Sequence, residues 1–389
     1  MHVGETIKII LLLLLASSLL YHLFALYCVA EFFGRNDAPP GAGLEPVSIL
    51  KPLKGMDPGF EENLKSFCSQ DYPEYEILLG FGEPEDEAVG RAQELAAGCG
   101  GKARVVVSEK NLGANRKVSN LAGLAEAARH GLLAISDSDM RVEGSYLKTI
   151  VAEHASMENV GMVTSMYKIS NPASTGAALE SLSIALDFIP SVLVARRIEG
   201  VTFGLGASML VSKKALEEIG GFQAIADFIA DDYQLGNRLW KKGYRIIISR
   251  LVLETVAGRM SLSDYAARQL RWSRTYRASR PKGFIGAGVT HLVFLSALFL
   301  VLEGPTGLAV SVAALAAAVR CATALVIYRK VIRSRGWLKW LALLPLKDLL
   351  GAGIWAWTFT GRKVRWRGRR FRILNDGRME EEGRNFKNS

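Results

Sequence analysis

The feature that most constrains this chain is where its apolar residues lie. An Ile- and Leu-rich segment runs from Ile7 through Ala30, and the apolar runs Ala287–Leu302, Thr306–Tyr328 and Leu338–Thr360 crowd the C-terminal third. Crossing a hydrocarbon core of roughly 30 Å takes about 20 apolar residues in a helix, so both ends of the chain are expected at a membrane. Between them stands a portion with the mixed composition of a water-soluble domain. The first segment lacks a convincing small-residue cleavage site, although Ala16-Ser17-Ser18 imitates one, and it reads as a retained anchor over residues 1–35.

Asn36-Asp37-Ala38-Pro39-Pro40-Gly41 breaks any helix and reads as a linker, so a new unit begins near Pro46. From there short Val-, Ile- and Leu-rich runs (Val47–Leu53, Tyr75–Phe81, Arg104–Ser108, Leu132–Ser136) alternate with helix-period segments (Phe60–Cys68, Ala88–Ala97, Lys117–His130). Such alternation predicts an α/β domain with a mostly parallel sheet, whose ligands sit beyond the carboxyl ends of the strands. It spans residues 46–280, with a donor part 46–140 and an acceptor part 141–280. The acceptor part holds a strand over Met162–Ile169, the loop Gly204-Leu205-Gly206 and a helix from Asp232 to Lys241. Residues 284–361 form a transmembrane or interfacial region and 362–389 a basic tail.

The net charge of +10 is decided by its location. Arg362, Lys363, Arg365, Arg367, Arg369, Arg370 and Arg372 directly follow an apolar run, which points to anionic lipid headgroups rather than to nucleic acid. Cys28, Cys68, Cys99 and Cys321 are scattered without metal-ligand spacing, and read as reduced structural thiols.

Asp137-Ser138-Asp139 follows the apolar run Leu132–Ile135. Carboxylates at a strand end can hold a divalent metal on a diphosphate, because hard cations take oxygen ligands; a solvated turn is the alternative. Asp231-Asp232 open a helix, where acids either cap or do chemistry. Arg268 and Arg271 are three residues apart, on one helix face, beside Trp272. Paired guanidiniums can neutralise a leaving diphosphate, and a basic or membrane-interface face is the alternative.

In this order, the strand-end acids, the acidic pair and the RxxRW string resemble glycosyltransferase family 21, typified by ceramide glucosyltransferase, and its bacterial relatives acting on hopanoid lipids. Leu50-Lys51-Pro52-Leu53-Lys54-Gly55, the turn Glu83-Pro84-Glu85-Asp86, Lys117–Leu121 and the basic tail around Trp366–Arg372 add to the likeness. The resemblance implies a GT-A fold and an inverting enzyme that moves a hexose, glucose or N-acetylglucosamine, from a UDP-sugar to a lipid hydroxyl such as that of ceramide or a hopanoid. It implies donor binding by Asp86 (with Glu83 and Glu85 as neighbouring candidates for the uridine), Lys117, Asp137, Arg268, Arg271 and Trp272. It further implies Mg²⁺ or Mn²⁺ on Asp139 and Asp232 as catalytic base. Animal members carry DSG in place of Asp137-Ser138-Asp139 and Glu in place of Asp231; both changes here keep an acid available. A processive polysaccharide synthase shares these motifs but needs more membrane helices, and an inactive lipid-binding or transport protein would release no UDP.

Leu179–Ala195 is apolar enough to face lipid, yet Asp187 within it must point to protein or water. The expected location is the cell membrane, multi-pass, with the catalytic domain cytoplasmic. Ala287–Leu302 and Thr306–Tyr328 then cross outward and back. A third crossing by Leu338–Thr360 would export the basic tail and bury Lys347 and Asp348 in lipid, so this segment is expected to break near Pro345 and stay in the cytoplasmic leaflet. The tail then returns beside the catalytic domain, with Val364, Trp366, Phe371 and Ile373 packing on it around Gly368.

Overall fold

The computed structural model describes residues 2–34 and 44–382. The linker Asn36–Gly41 and the last part of the basic tail, 383–389, lie outside the described residues. The chain divides into two compact units. One, the sheet unit, contains Asp37–Lys168, Glu199–Gly258 and Trp366–Ser389; the other, the helical unit, contains Met1–Asn36, Ile169–Ile198 and Arg259–Arg365.

The sheet unit is built on strands β1 (Val47–Pro52), β2 (Tyr75–Phe81), β3 (Ala103–Val107), β4 (Leu132–Ser136), β5 (Met140–Arg141), β6 (Val160–Lys168), β7 (Ser208–Ser212) and β8 (Arg245–Thr255). They form one sheet of order β3-β2-β1-β4-β7-β6-β8-β5. β3, β2, β1 and β4 are parallel, as the βα alternation requires. Beyond β4 the sheet departs from the expected parallel arrangement: β7 runs antiparallel to both β4 and β6, and β5 antiparallel to β8. The cause lies in the connections, since the chain between β6 and β7 leaves the sheet unit through the helices Thr175–Ser183 and Ile189–Glu199 and supplies no crossover helix to that unit.

β1, β2 and β4 are buried along their whole length, which explains why apolar residues dominate them without a strict alternation. Their side chains alternate between two cores. Ile49, Ile77, Leu79 and Ala134 enter a core with helices Phe60–Cys68, Val89–Ala97 and Tyr146–His154. Leu50, Leu78, Leu133 and Ile135 enter the opposite core, with helices Arg116–Ala127 and Asp231–Lys241. Cys68 and Cys99, expected as separate reduced thiols, are instead bonded to each other, with Cα atoms 5.3 Å apart. The reason is packing: both follow from helices laid side by side on one face of the sheet. Cys28 and Cys321 are free.

Among the described residues three helices are long and apolar enough to cross a membrane: Gly4–Gly34, Thr175–Glu199 and Gly307–Ile332. A bent pair, Pro281–Thr290 with Leu292–Glu303, breaks by 55° and can form one more span. Leu338–Thr360 is not a continuous helix. A 3-10 stretch ends at Leu343 and an α-helix, Leu344–Thr358, starts one residue before Pro345. Lys347 and Asp348 on that helix are buried against protein: Lys347 Nζ lies 2.5 Å from Asp187 and 2.5 Å from Asp348, and Arg320 lies 3.0 Å and 2.7 Å from the same two carboxylates. Asp187 is thus paired with two protein cations while its side chain stays half-exposed.

Candidate active site

Asp137-Ser138-Asp139 fills the tight turn between β4 and β5, at the carboxyl end of the parallel strands. Lys51, at the same end of neighbouring β1, donates from Nζ to the Asp137 carbonyl at 2.7 Å, and lies 4.0 Å from the centre of the Phe67 ring. Its side chain is fully buried, and burial pushes the ammonium down to about 7 against the pull of Asp139 and Asp137. Ser138 Oγ donates to the carboxylate of Asp57. Asp139 Oδ2 accepts from Thr255 Oγ1 at 3.0 Å. Burial, then the neighbouring Asp137 and Asp57, push the Asp139 carboxyl up to about 6.

The acidic pair enters from the other side of β4. Helix Asp231–Lys241 has Ala230 at its N-cap, so neither acid occupies the N-cap position. Asp231, 7% exposed, lies 3.1 Å from Lys117 Nζ, which also reaches Asp137 at 2.7 Å. Burial opposes the charge on Lys117, but Asp137 and Asp231 more than offset it and hold the ammonium above its ordinary range. Asp232 is differently placed. Its Oδ2 accepts from the Gly206 amide at 2.8 Å and its Oδ1 from the Tyr233 amide at 2.7 Å. Burial and the adjacent Asp231 push its carboxyl up to about 6. Gly206 separates Asp232 from Asp137: a Cβ built there would lie 3.2 Å from one carboxylate and 3.4 Å from the other. A side chain at this position would crowd both carboxylates.

Asp86 is half-buried, whereas Glu83 and Glu85 are exposed. Both of its oxygens lie 3.0 Å from the Gly55 amide, which ties the loop after β1 to the loop after β2. Arg268, Arg271 and Trp272 belong to the helical unit, on helix Leu262–Ser279, where Arg268 Nη1 donates to buried Glu180 at 3.0 Å. The fold thus brings Lys117, Asp137, Asp139 and Asp232 together within one unit and carries the arginine motif on the other.

Sequence reasoning gave no separate role to Lys51, Asp57 or Gly206. A lysine inside an otherwise apolar strand was the available signal for the first. Among the described residues no three His, Cys, Asp or Glu side chains form a ready-made metal cage. Mg²⁺ and Mn²⁺ on a diphosphate need only one or two protein carboxylates, and the oxygen-only set Asp137 and Asp139 suits such a hard cation.

Residues 10–379 match the family model described as glycosyl transferase family 21. Ceramide glucosyltransferase 1 of Caenorhabditis elegans is 26% identical over 264 residues, covering 67% of this chain and 56% of that protein. Ceramide glucosyltransferase of Komagataella phaffii is 32% identical over 135 residues, 33% of this chain and 26% of that protein. The chain therefore spans little more than half the length of the nematode relative. Among solved structures, a mannosyltransferase from Pyrobaculum calidifontis, in complex with GDP-Man and Mn2+, superposes with a TM-score of 0.54. The superposition covers 90% of this chain and 99% of that one at 18% identity, a likeness of fold that identifies the architecture as GT-A.

Proposed function

The chain belongs to glycosyl transferase family 21, and from that membership we propose that it transfers a hexose from a UDP-sugar to a hydroxyl of a membrane lipid, with inversion at the anomeric carbon. Glucose is the first sugar to test and N-acetylglucosamine the second; ceramide and hopanoid are the acceptors to test. The observation that carries the reading is the pairing of Asp232 with Asp137 across Gly206. It supplies a carboxylate for the attacking hydroxyl beside a carboxylate suited to the donor end.

Asp232 takes the proton of the lipid hydroxyl as the oxygen attacks the anomeric carbon and the bond to the nucleoside diphosphate breaks. Its pKa, raised to about 6, strengthens it as a base and still leaves it mostly ionised at neutral pH. Lys117 holds Asp137 and Asp231 in place and sets Asp232 apart from them. Asp139, with Asp137, would hold Mg²⁺ or Mn²⁺, which supplies positive charge to the leaving diphosphate. Asp86 with the Gly55 loop receives the uridine, and Arg268, Arg271 and Trp272 are proposed as further donor-binding residues on the strength of the family's RxxRW motif alone. One base opposite the leaving group turns an α-linked donor into a β-glycoside without a covalent intermediate. The catalytic domain works at the cytoplasmic face, where the UDP-sugar is.

The test is to incubate membranes holding the full chain with UDP-glucose, Mn²⁺ and either ceramide or a hopanoid, and to follow UDP release and lipid products by mass spectrometry. A singly glycosylated lipid supports the reading. A polymer would make the protein a polysaccharide synthase, and no UDP release with any lipid would make it a binding or transport protein.

A further inference from the structure

Residues 369–381 are built into the sheet unit, beside the loop that leads to the acids. Strands Arg369–Ile373 and Met379–Glu381 form an antiparallel hairpin with Ile373 opposite Met379 and Phe371 opposite Glu381. Phe371, Ile373 and Met379 are buried, while Arg370 and Arg372 point outward, the period-two pattern of a strand with one wet face. Its turn is locked from within. Leu374 N donates to the Arg378 carbonyl at 2.7 Å, Asp376 accepts from Arg378 Nε at 2.7 Å, and Gly377 holds a φ of 87° that favours glycine.

This turn grips the loop that leads into the acidic pair. Arg378 forms an antiparallel bridge with Phe228, Met379 N donates to the Asp227 carbonyl at 2.8 Å, and Ile229 N donates to the Gly377 carbonyl at 3.4 Å. From the other side, Asn115 Nδ2 donates to the Phe228 carbonyl at 2.8 Å, and Asp227 Oδ1 accepts from the Ala114 amide at 2.9 Å. Asn115 also caps the helix that carries Lys117. The loop Asp227–Ile229 is thus clamped between the cap of the Lys117 helix and the C-terminal hairpin, and only Ala230 separates it from Asp231-Asp232.

We propose that the C-terminal hairpin is a positioning element of the active site: by pairing with Asp227–Ile229 it fixes where Asp232 stands relative to Asp137 and Lys117. The proposal rests on the reading of Asp232 as the base. A backbone segment held on both sides has few alternatives, whereas one held from a single side can drift, and a displacement of about 1 Å at a reacting group can cost on the order of 100-fold in rate. The hairpin touches no atom of the reaction; it acts through the loop.

The test uses the full chain with Gly377→Val, because a β-branched residue opposes a φ of 87° and breaks the turn without removing any side chain near the acids. A chain ending at Ile373 is the second variant. Two readouts are taken: hydrogen exchange of peptides covering Phe228–Tyr233 and Val47–Pro52, and steady-state transfer. The expected result is exchange in Phe228–Tyr233 faster by about tenfold or more with Val47–Pro52 unchanged, and kcat lowered by about tenfold or more while donor KM stays within about threefold. Unchanged exchange in Phe228–Tyr233 would overturn the clamp. Faster exchange there with kcat within twofold would reduce the hairpin to a cover, and acceleration spreading to Val47–Pro52 would make it a general fold element; either overturns positioning. Asp232→Asn is run alongside. If that variant transfers at the native rate, the base assignment fails, and the exchange data still decide whether the hairpin holds the loop.

Discussion

Asp231 and Asp232 are neighbours with the same side chain, and the fold gives them different work. Asp231 turns to Lys117 and is neutralised, whereas Asp232 accepts only backbone N–H groups and carries a carboxyl raised to about 6. Asp232→Asn keeps the shape and removes the proton acceptor, so transfer is expected to fall to background while UDP-sugar binding, measured by titration, stays within a few-fold. The native enzyme should show the matching pH limb. A base works only when ionised, so kcat/KM is expected to hold level above pH 6 and to drop about tenfold per unit below it, through the pKa of Asp232. A flat profile down to pH 4.5 would remove Asp232 from the role. Asp139 sits among Asp137, Asp57 and the buried cation Lys51. Asp139→Ala is expected to flatten the response to added Mg²⁺ or Mn²⁺, and full native activity in excess chelator would discard the metal along with the ligand.

Elements bounded by turn residues were legible in the sequence: the strands Tyr75–Phe81 and Leu132–Ser136, buried on both faces, and the amphipathic helix Phe60–Cys68 match the structure residue for residue. β7 and β8 were not read. Ser208–Ser212 is short and follows a glycine loop, and Arg245–Thr255 mixes Arg250 and Glu254 into its apolar run, which blurs the alternation. The acids were legible because they stand at a strand end and a helix start. Lys51 and the grip of the hairpin on Asp227–Ile229 were not, since both depend on pairing between distant segments that local periodicity cannot register. The same holds in the helical unit, where Asp187, Lys347 and Asp348 stood out as charges in apolar runs but their fourth member, Arg320, did not. Two cations and two anions make that cluster neutral, with Arg320 2% exposed. Arg320, Lys347 and Asp348 are buried and Asp187 is half-exposed, so removing one of the buried charges leaves a buried partner uncompensated, at about 3–5 kcal/mol, whereas replacing a matched pair by apolar residues is often tolerated. Arg320→Met alone is therefore expected to lower the thermal stability of the purified protein sharply, and Arg320→Met with Asp348→Leu to recover most of it. Equal losses in the single and double variants would show that packing, not charge balance, sets the stability there.

At the scale of the whole molecule, the fold limits how the chain can thread a bilayer. Lys168 and Glu199 belong to the same unit, and β6 pairs directly with β7, so the segment between them leaves and returns on one side. Thr175–Glu199 is long and apolar enough to cross, yet as a single helix it cannot: one crossing would strand β7 on the far side. The same parity governs the segment between Gly258 and Trp366, because the hairpin that follows it is hydrogen-bonded within the sheet unit. Crossings there must be even in number. The bent pair Pro281–Glu303 and the helix Gly307–Ile332 supply two. Leu344–Thr358 would make a third; at 15 residues it is about 22 Å long, short of the roughly 30 Å core, and it carries the buried Lys347 and Asp348. It is therefore expected to remain on the side of the catalytic unit, which leaves the arginines of the tail where the positive-inside rule wants them. Single cysteines at exposed Glu217, Pro305 and Asn375, in a background lacking the free Cys28 and Cys321, test this with a membrane-impermeant thiol reagent. Glu217→Cys and Asn375→Cys should react only after cells are opened, and Pro305→Cys in intact cells. Reaction of Asn375→Cys in intact cells would mean that Leu344–Thr358 crosses after all, and the hairpin could then no longer pair with the loop that leads to Asp232.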